Sequence, residues 1–203
     1  MPEIERRAIE RPVQLRAAPE GSSSPGILYG YAYVFNSLSR DLGGWFEQIA
    51  PGTFDLEKNG RVIGRLNHDS NGLLGTTNAG TLRLSEDDTG GMYEIDLPNT
   101  TTGRDVAELA ARGDISFSSF AFRVTPDGYE WGYGPNDELI RTVTAAQLVD
   151  VAPVADPAYW GSTAELTRGL DLDAIRASLK PKETRTTPAW VAAWSRLGAQ
   201  PRI

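Results

Sequence analysis

A single imidazole is available to this chain: its 203 residues include one histidine, His68, and no cysteine. Thiolate chemistry and disulfides are thereby excluded, and any imidazole base has to be His68. About fifty residues later comes Ile115-Ser116-Phe117-Ser118-Ser119-Phe120-Ala121-Phe122, an apolar, β-prone run with three hydroxyls. A serine hydroxyl is a poor nucleophile until a neighbouring base takes its proton, and imidazole is the side chain best suited to that near neutral pH. A third polar group must fix the ring's tautomer and steady the imidazolium. Leu148-Val149-Asp150-Val151-Ala152 places a carboxylate inside an apolar strand, where a buried charge needs a partner. In chain order, His68, one serine among Ser116, Ser118 and Ser119, and Asp150 form a set able to carry out acyl transfer.

Each of these residues also has a purely structural reading. A histidine near a strand end is commonly structural or exposed. The serines can hydrogen-bond within a sheet, and Asp150 can pair with an arginine such as Arg65 or Arg141. Triads have no fixed sequence spacing, so the pattern alone does not decide between the readings.

Composition narrows the alternatives. Apolar residues make up 40% and charged residues 23%, the balance of a globular chain that buries one core. The net charge of −7 argues against a nucleic-acid role, which needs a concentrated basic face. Zinc catalysis draws on several His or Cys ligands, and Glu86-Asp87-Asp88 lacks the spacing of a calcium loop, so neither metal nor cofactor is expected. No apolar stretch approaches membrane-spanning length, and Met1-Pro2-Glu3-Ile4-Glu5-Arg6-Arg7 lacks the apolar core of a secretory leader. Absence of cysteine suits a reducing cytoplasm.

The elements that must position these side chains are mostly short strands. Residues 3–17 read as an edge strand around Val13 and Leu15, followed by a Gly/Ser/Pro loop from Pro19 to Pro25. Ile27 to Phe35 reads as a buried aromatic strand, Phe46 to Ile49 as a short one, and Val62 to His68 as another. On that last strand Leu66 and His68 share a face and Asp69 points away, so Asp69 is an unsuitable partner for the neighbouring ring. Thr81 to Ser85 and Gly91 to Leu97 flank the acidic turn as a hairpin. Thr102 to Gly113 is the clearest helix, with Val106, Leu109 and Ala110 on one face and Gly113 to end it. Val124 to Glu138 reads as turns, and Ile140 to Val143 and Gln147 to Val154 as strands. Ala164 to Leu179 carries a moderate helical pattern, and a polar tail follows with Trp190 and Trp194 one turn apart. Six to eight strands with about two helices predict a mainly β, α+β protein with peripheral helices, built as a barrel or sandwich. The expected division is an N-terminal strand and linker over 1–25, a main domain over 26–165, and a C-terminal helix and flexible tail over 166–203.

Several segments, taken in order, resemble the prohead (capsid maturation) protease family of tailed double-stranded DNA phages. They are Gly30-Tyr31-Ala32-Tyr33-Val34-Phe35-Asn36, Glu47-Gln48-Ile49-Ala50-Pro51-Gly52-Thr53-Phe54, Asn67-His68-Asp69, Leu74-Gly75, Thr81-Leu82-Arg83-Leu84, Gly113-Asp114-Ile115, Ser119-Phe120-Ala121-Phe122, and Val151 to Ala158. The resemblance spans about residues 3 to 160. It implies a serine endopeptidase with a fold like herpesvirus assemblin, a closed or partly open β-barrel ringed by helices. It implies action inside the immature capsid, in the host bacterial cytoplasm, on the scaffolding segment of the major capsid protein and on the protease itself. Self-association as a dimer is implied by analogy, with no nucleic-acid or membrane partner. Matched by position, His68 is the base and Ser119 the nucleophile, since the family serine directly precedes Phe-Gly-Phe. Asp150 falls where the family commonly has an acid. The chain departs from the family pattern at Phe117-Ser118, where Gly-Met is common, at Ala121, which replaces a glycine, and at Ala152, which replaces a serine. The added bulk beside the nucleophile leaves room for a second reading, an inactive protease-fold scaffold or capsid assembly protein. A third, a ligand-binding β-barrel, would require an apolar pocket.

Overall fold

The computed structural model describes residues 3–9, 11–155 and 169–179. Expectations that fall on 156–168 and 180–203, including Trp190 and Trp194, lie outside the described residues. The chain divides into two units, 1–170 and 171–203. Within the second, the described residues form one short helix, α2 (Leu172–Ser178), whose N-cap Asp171 accepts from the Ala174 amide.

The first unit is built from twelve strands and one helix among the described residues. In chain order they are β1 (Glu5–Ile9), β2 (Gln14–Arg16), β3 (Ile27–Val34), β4 (Phe46–Ile49), β5 (Ile63–Arg65), β6 (Leu73–Thr76), β7 (Leu82–Glu86), β8 (Gly90–Asp96), α1 (Thr101–Arg112), β9 (Phe117–Val124), β10 (Tyr129–Tyr133), β11 (Leu139–Val143) and β12 (Ala146–Val154). They form three sheets, ordered β1-β9-β12-β5-β6, β10-β11-β4 and β2-β3-β8-β7. The mainly β expectation holds. A closed barrel does not: among the described residues none of the three sheets closes on itself.

Alternation explains most strands. In β3, Leu28, Ala32 and Tyr33 are buried while Tyr29 and Tyr31 lie partly out, their hydroxyls donating to Gln14 and Asp87. The core forms where β3, β8, β9 and β12 face one another: Leu28, Tyr33, Phe54, Tyr93, Ile95, Phe120, Phe122, Leu148 and Val151 are buried together. Its aromatic centre is dense. The Tyr33 and Phe54 rings lie 4.5 Å apart, and Phe120 stacks on Phe122 at 5.2 Å. A Cβ on Gly91 would meet the Tyr33 ring at 2.0 Å. Gly91→Ala should therefore cost about 1–3 kcal/mol by urea unfolding, the usual cost of overpacking.

Helix α1 sets the start of β9. The Thr100 side chain accepts from the Gly103 amide, and Gly113, at φ 83°, ends the helix in the left-handed region. The Asp114 and Ile115 amides close back onto the Leu109 carbonyl, so the chain leaves the helix directly into Phe117 and the serine-rich strand. The turn-rich reading of Val124 to Glu138 missed β10, which pairs with β11 along its whole length. The edge strand expected over 3–17 is two strands, β1 and β2, which belong to different sheets.

Candidate active site

β9 presents its consecutive serines to opposite sides. Ser118 faces the core, where its Oγ lies 2.9 Å from the Tyr93 hydroxyl. Burial pushes the Tyr93 phenol up, partly offset by the Ser118 hydroxyl, so the pair is neutral. Ser119 faces the other way. Its Oγ lies 2.6 Å from His68 Nε2 and donates to the Arg7 carbonyl of β1 at 2.9 Å in the geometry shown. Ser116 precedes the strand, and its carbonyl accepts from the Val13 amide.

Asp150 reaches the same ring from the next strand. Its Oδ1 lies 2.5 Å from His68 Nδ1, and its Oδ2 is 3.8 Å from the Arg65 guanidinium. Register explains the meeting. Ser119 stands opposite Ala152 on β12 and Ala8 on β1, while Asp150 stands opposite Ala121. Directly opposed residues share a face, so Ala8, Ala121 and Ala152, with Arg6 and Ile63, lie on the same side of this sheet as Ser119 and Asp150. Alanine at 121 and 152 thus keeps that face shallow. Of the two arginines expected as alternative partners for Asp150, Arg65 is near it. Arg141 instead binds Glu5 and Glu47.

The histidine sits on no strand, which corrects the expectation of a strand running through His68. β5 ends at Arg65, and Leu66–His68 form a tight 3-10 turn. Asn67 and His68 both adopt left-handed backbone, at φ 51° and 57°. Asn and His tolerate this region better than most residues, and such backbone is a frequent feature of functional sites. The turn is closed by Leu66 N–H to Gly72 O, Asp69 N–H to Leu66 O and Gly72 N–H to Asp69 O. The Asp69 carboxylate accepts from the Asn71 amide, which occupies it away from the ring. The Asn67 side chain accepts from Ala155 N–H at 3.4 Å, linking the turn to the end of β12.

A β-bulge places Asp150. The β9–β12 register shifts between Leu148 and Asp150, so Val149 is the extra residue. Asn59, buried, fills the interrupted ladder: its Nδ2 donates to Leu148 O and its Oδ1 accepts from Leu148 N–H, both at 2.7 Å. Asn59 carried no signal in the sequence, where a single asparagine before a glycine reads as a turn. Asn59→Ala should cost about 2–4 kcal/mol in urea unfolding, because two buried backbone groups lose their partner. It should also lower activity, since the bulge aims Asp150.

The three side chains are enclosed: Ser119 and Asp150 are 1% and 2% exposed, and the His68 side chain 4%. A cavity of about 480 Å³ lies beside β1, but none of the three lines it. Among the described residues no three His, Cys, Asp or Glu side chains cluster as metal ligands. An imidazole bridging a hydroxyl and a carboxylate can take the hydroxyl's proton at Nε2 while Nδ1–H donates to the carboxylate. That is the arrangement for nucleophilic acyl transfer.

The family model described as "Caudovirus prohead serine protease" matches residues 12–175, most of the chain. The chain belongs to that family. The protease is also similar to a solved structure, the bacteriophage T4 capsid assembly protease, gp21. Identity is 14% and the TM-score 0.49, covering 75% of this chain and 98% of that one. No curated protein matches the chain. The protease carries no helix among its described residues long and apolar enough to cross a membrane.

Proposed function

We propose that this prohead protease hydrolyses peptide bonds through His68, Ser119 and Asp150. Its substrate is the scaffolding segment of the major capsid protein, and it acts within the immature capsid in the host cell and also on its own chain. The observation that carries the reading is the continuous bridge Asp150–His68–Ser119, at 2.5 and 2.6 Å, drawn from three distant parts of the chain. His68 takes the Ser119 proton as Oγ attacks the scissile carbonyl, then delivers it to the leaving amine. Water repeats the sequence on the acyl-enzyme. Asp150 holds Nδ1–H and faces the positive charge that develops on the ring. Membership of the family supports this substrate class.

Co-expression with the neighbouring major capsid protein tests this. The capsid chain should shorten with the parent protease and stay full length with Ser119→Ala. Ser118→Ala should still process it, at a stability cost of about 1–3 kcal/mol from the stranded Tyr93 hydroxyl. Processing that survives Ser119→Ala but not Ser118→Ala would move the nucleophile to Ser118. Processing that is absent throughout, with folded protein, would favour the inactive assembly-protein reading.

A further inference from the structure

One strand edge stands open without the devices that ordinarily close one. β10 pairs only with β11 among the described strands, so its outward row of backbone N–H and C=O groups has no partner among the described residues. Exposed edges are usually blunted by lysine, proline or a bulge. β10 contains neither residue, and its register with β11 runs unbroken from Tyr129 opposite Val143 to Tyr133 opposite Leu139. A Cβ added at Gly132 would meet nothing within 4 Å, so that face of the strand is open. The two faces of the edge differ. Tyr129, Trp131 and Tyr133 share one face, opposite Val143, Arg141 and Leu139, which are buried. The aromatic row thus carries the buried face of β11 out to the open edge, where Tyr129 and Tyr133 are 42% and 37% exposed. It is braced from within: Trp131 meets Trp45 edge-on at 5.3 Å, and the Arg141 guanidinium lies 5.6 Å from the Tyr129 ring centre. The other face carries Glu130, which is exposed. From Val124 to Ile140 the chain holds four acids, Asp127, Glu130, Asp137 and Glu138, and no lysine or arginine.

Resting on the proposed peptidase function, we propose that the outer edge of β10 docks an extended segment of the polypeptide substrate in which apolar and basic side chains alternate. Added beside β10 as a further strand of the β10-β11-β4 sheet, the segment satisfies the open N–H and C=O groups. Its successive side chains fall on opposite faces. The apolar ones lie against Tyr129, Trp131 and Tyr133, rigid rings of the kind that carries binding energy at interfaces. The basic ones lie on the side of Glu130, where opposite charges on neighbouring strands attract. A second copy of this chain suits the edge poorly. Pairing β10 with its own copy is two-fold symmetric and sets Glu130 and its acidic neighbours against the same charges. β10 belongs to a different sheet from Ser119. Docking there captures substrate away from the scissile bond, so its loss raises KM and leaves the chemical step unchanged.

A fluorescent peptide of alternating valine and lysine tests this on the full chain carrying Ser119→Ala, which binds without cutting. The peptide should bind, and a peptide of alternating valine and glutamate should bind at least ten times more weakly. Tyr129→Ser/Tyr133→Ser should weaken binding of the lysine peptide at least tenfold, and Glu130→Lys at least threefold at low salt. Glu130 is exposed, so Glu130→Lys decides if the tyrosine variant fails to fold. With Ser119 intact, Tyr129→Ser/Tyr133→Ser should slow shortening of the co-expressed capsid protein at least tenfold, while a fluorophosphonate labels Ser119 at the parent's rate. No binding of the lysine peptide, equal binding of the two peptides, or binding that both variants leave unchanged overturns the docking strand. Weaker self-association of the variants with peptide binding unchanged would make the edge a contact between copies, and overturns it too. Unslowed shortening with labelling intact overturns it and leaves the proposed function standing. No labelling of Ser119 and no Ser119-dependent shortening in the parent overturns the function, and with it the assignment of the docked peptide to a substrate.

Discussion

Ser119→Ala should lower peptide hydrolysis by about six orders of magnitude, the scale seen when the nucleophile of a triad is removed. The loss falls on the chemical step, because no other hydroxyl lies within hydrogen-bond reach of His68 Nε2 among the described contacts. Ser118, next in the chain, is turned to the core and engaged with Tyr93, so it offers no substitute. Stability should change little, by about 1 kcal/mol, since one hydroxyl and its hydrogen bonds are exchanged for a methyl-sized void. Quantifying residual cleavage of a capsid-derived peptide alongside a urea melt separates the two effects. A variant that stays within tenfold of the parent would deny Ser119 its role.

Asp150→Asn should cost about four orders of magnitude in kcat and leave the backbone in place. The amide is nearly the size of the carboxylate, and the bulge that positions residue 150 is held by Asn59 through Leu148, not by residue 150 itself. The neutral amide supplies no charge opposite the imidazolium. It can also turn its NH₂ toward Nδ1, which puts the ring proton on Nε2, where it blocks the attack on Ser119. Arg65, at 3.8 Å and partly solvated, loses only a weak neighbour. A loss of kcat with an unchanged circular-dichroism spectrum is the expected signature. Full activity in Asp150→Asn would mean that another group orients the ring.

How far the fold could be read in advance depends on whether its determinants are local. α1 was legible because its face and its Gly113 stop lie within the segment itself. β9 and β12 were legible from apolar runs long enough to be buried on both faces, and the hairpin strands around Glu86-Asp87-Asp88 from a pattern with one wet face. β10 was missed because Gly128, Gly132 and Gly134 read as turns, although Tyr129, Trp131 and Tyr133 alternate with Glu130 and Gly132, and the strand pairs with β11 along its length. The turn at Leu66–His68 was read as strand because its left-handed residues are held by bonds to Gly72 and by the Asn67 link to Ala155, neither visible in the local pattern.

The candidate site was legible in part for a similar reason. Scarcity pointed to His68, and an acid in an apolar strand pointed to Asp150. The choice of Ser119 over its neighbours came from family resemblance, and strand alternation separates the two serines in space. The contribution of Arg7 could not be read at all, since a backbone carbonyl leaves no mark on residue type. Asn59 was equally silent, because its role is to complete a ladder interrupted nearly ninety positions away.

The most direct test of the account is where a fluorophosphonate attaches, and on what that attachment depends. Peptide mapping after treatment of the parent protein should show one adduct, on Ser119, absent when His68 is replaced by alanine. An adduct on Ser118 or another serine, or labelling of Ser119 that persists undiminished in His68→Ala, would contradict it.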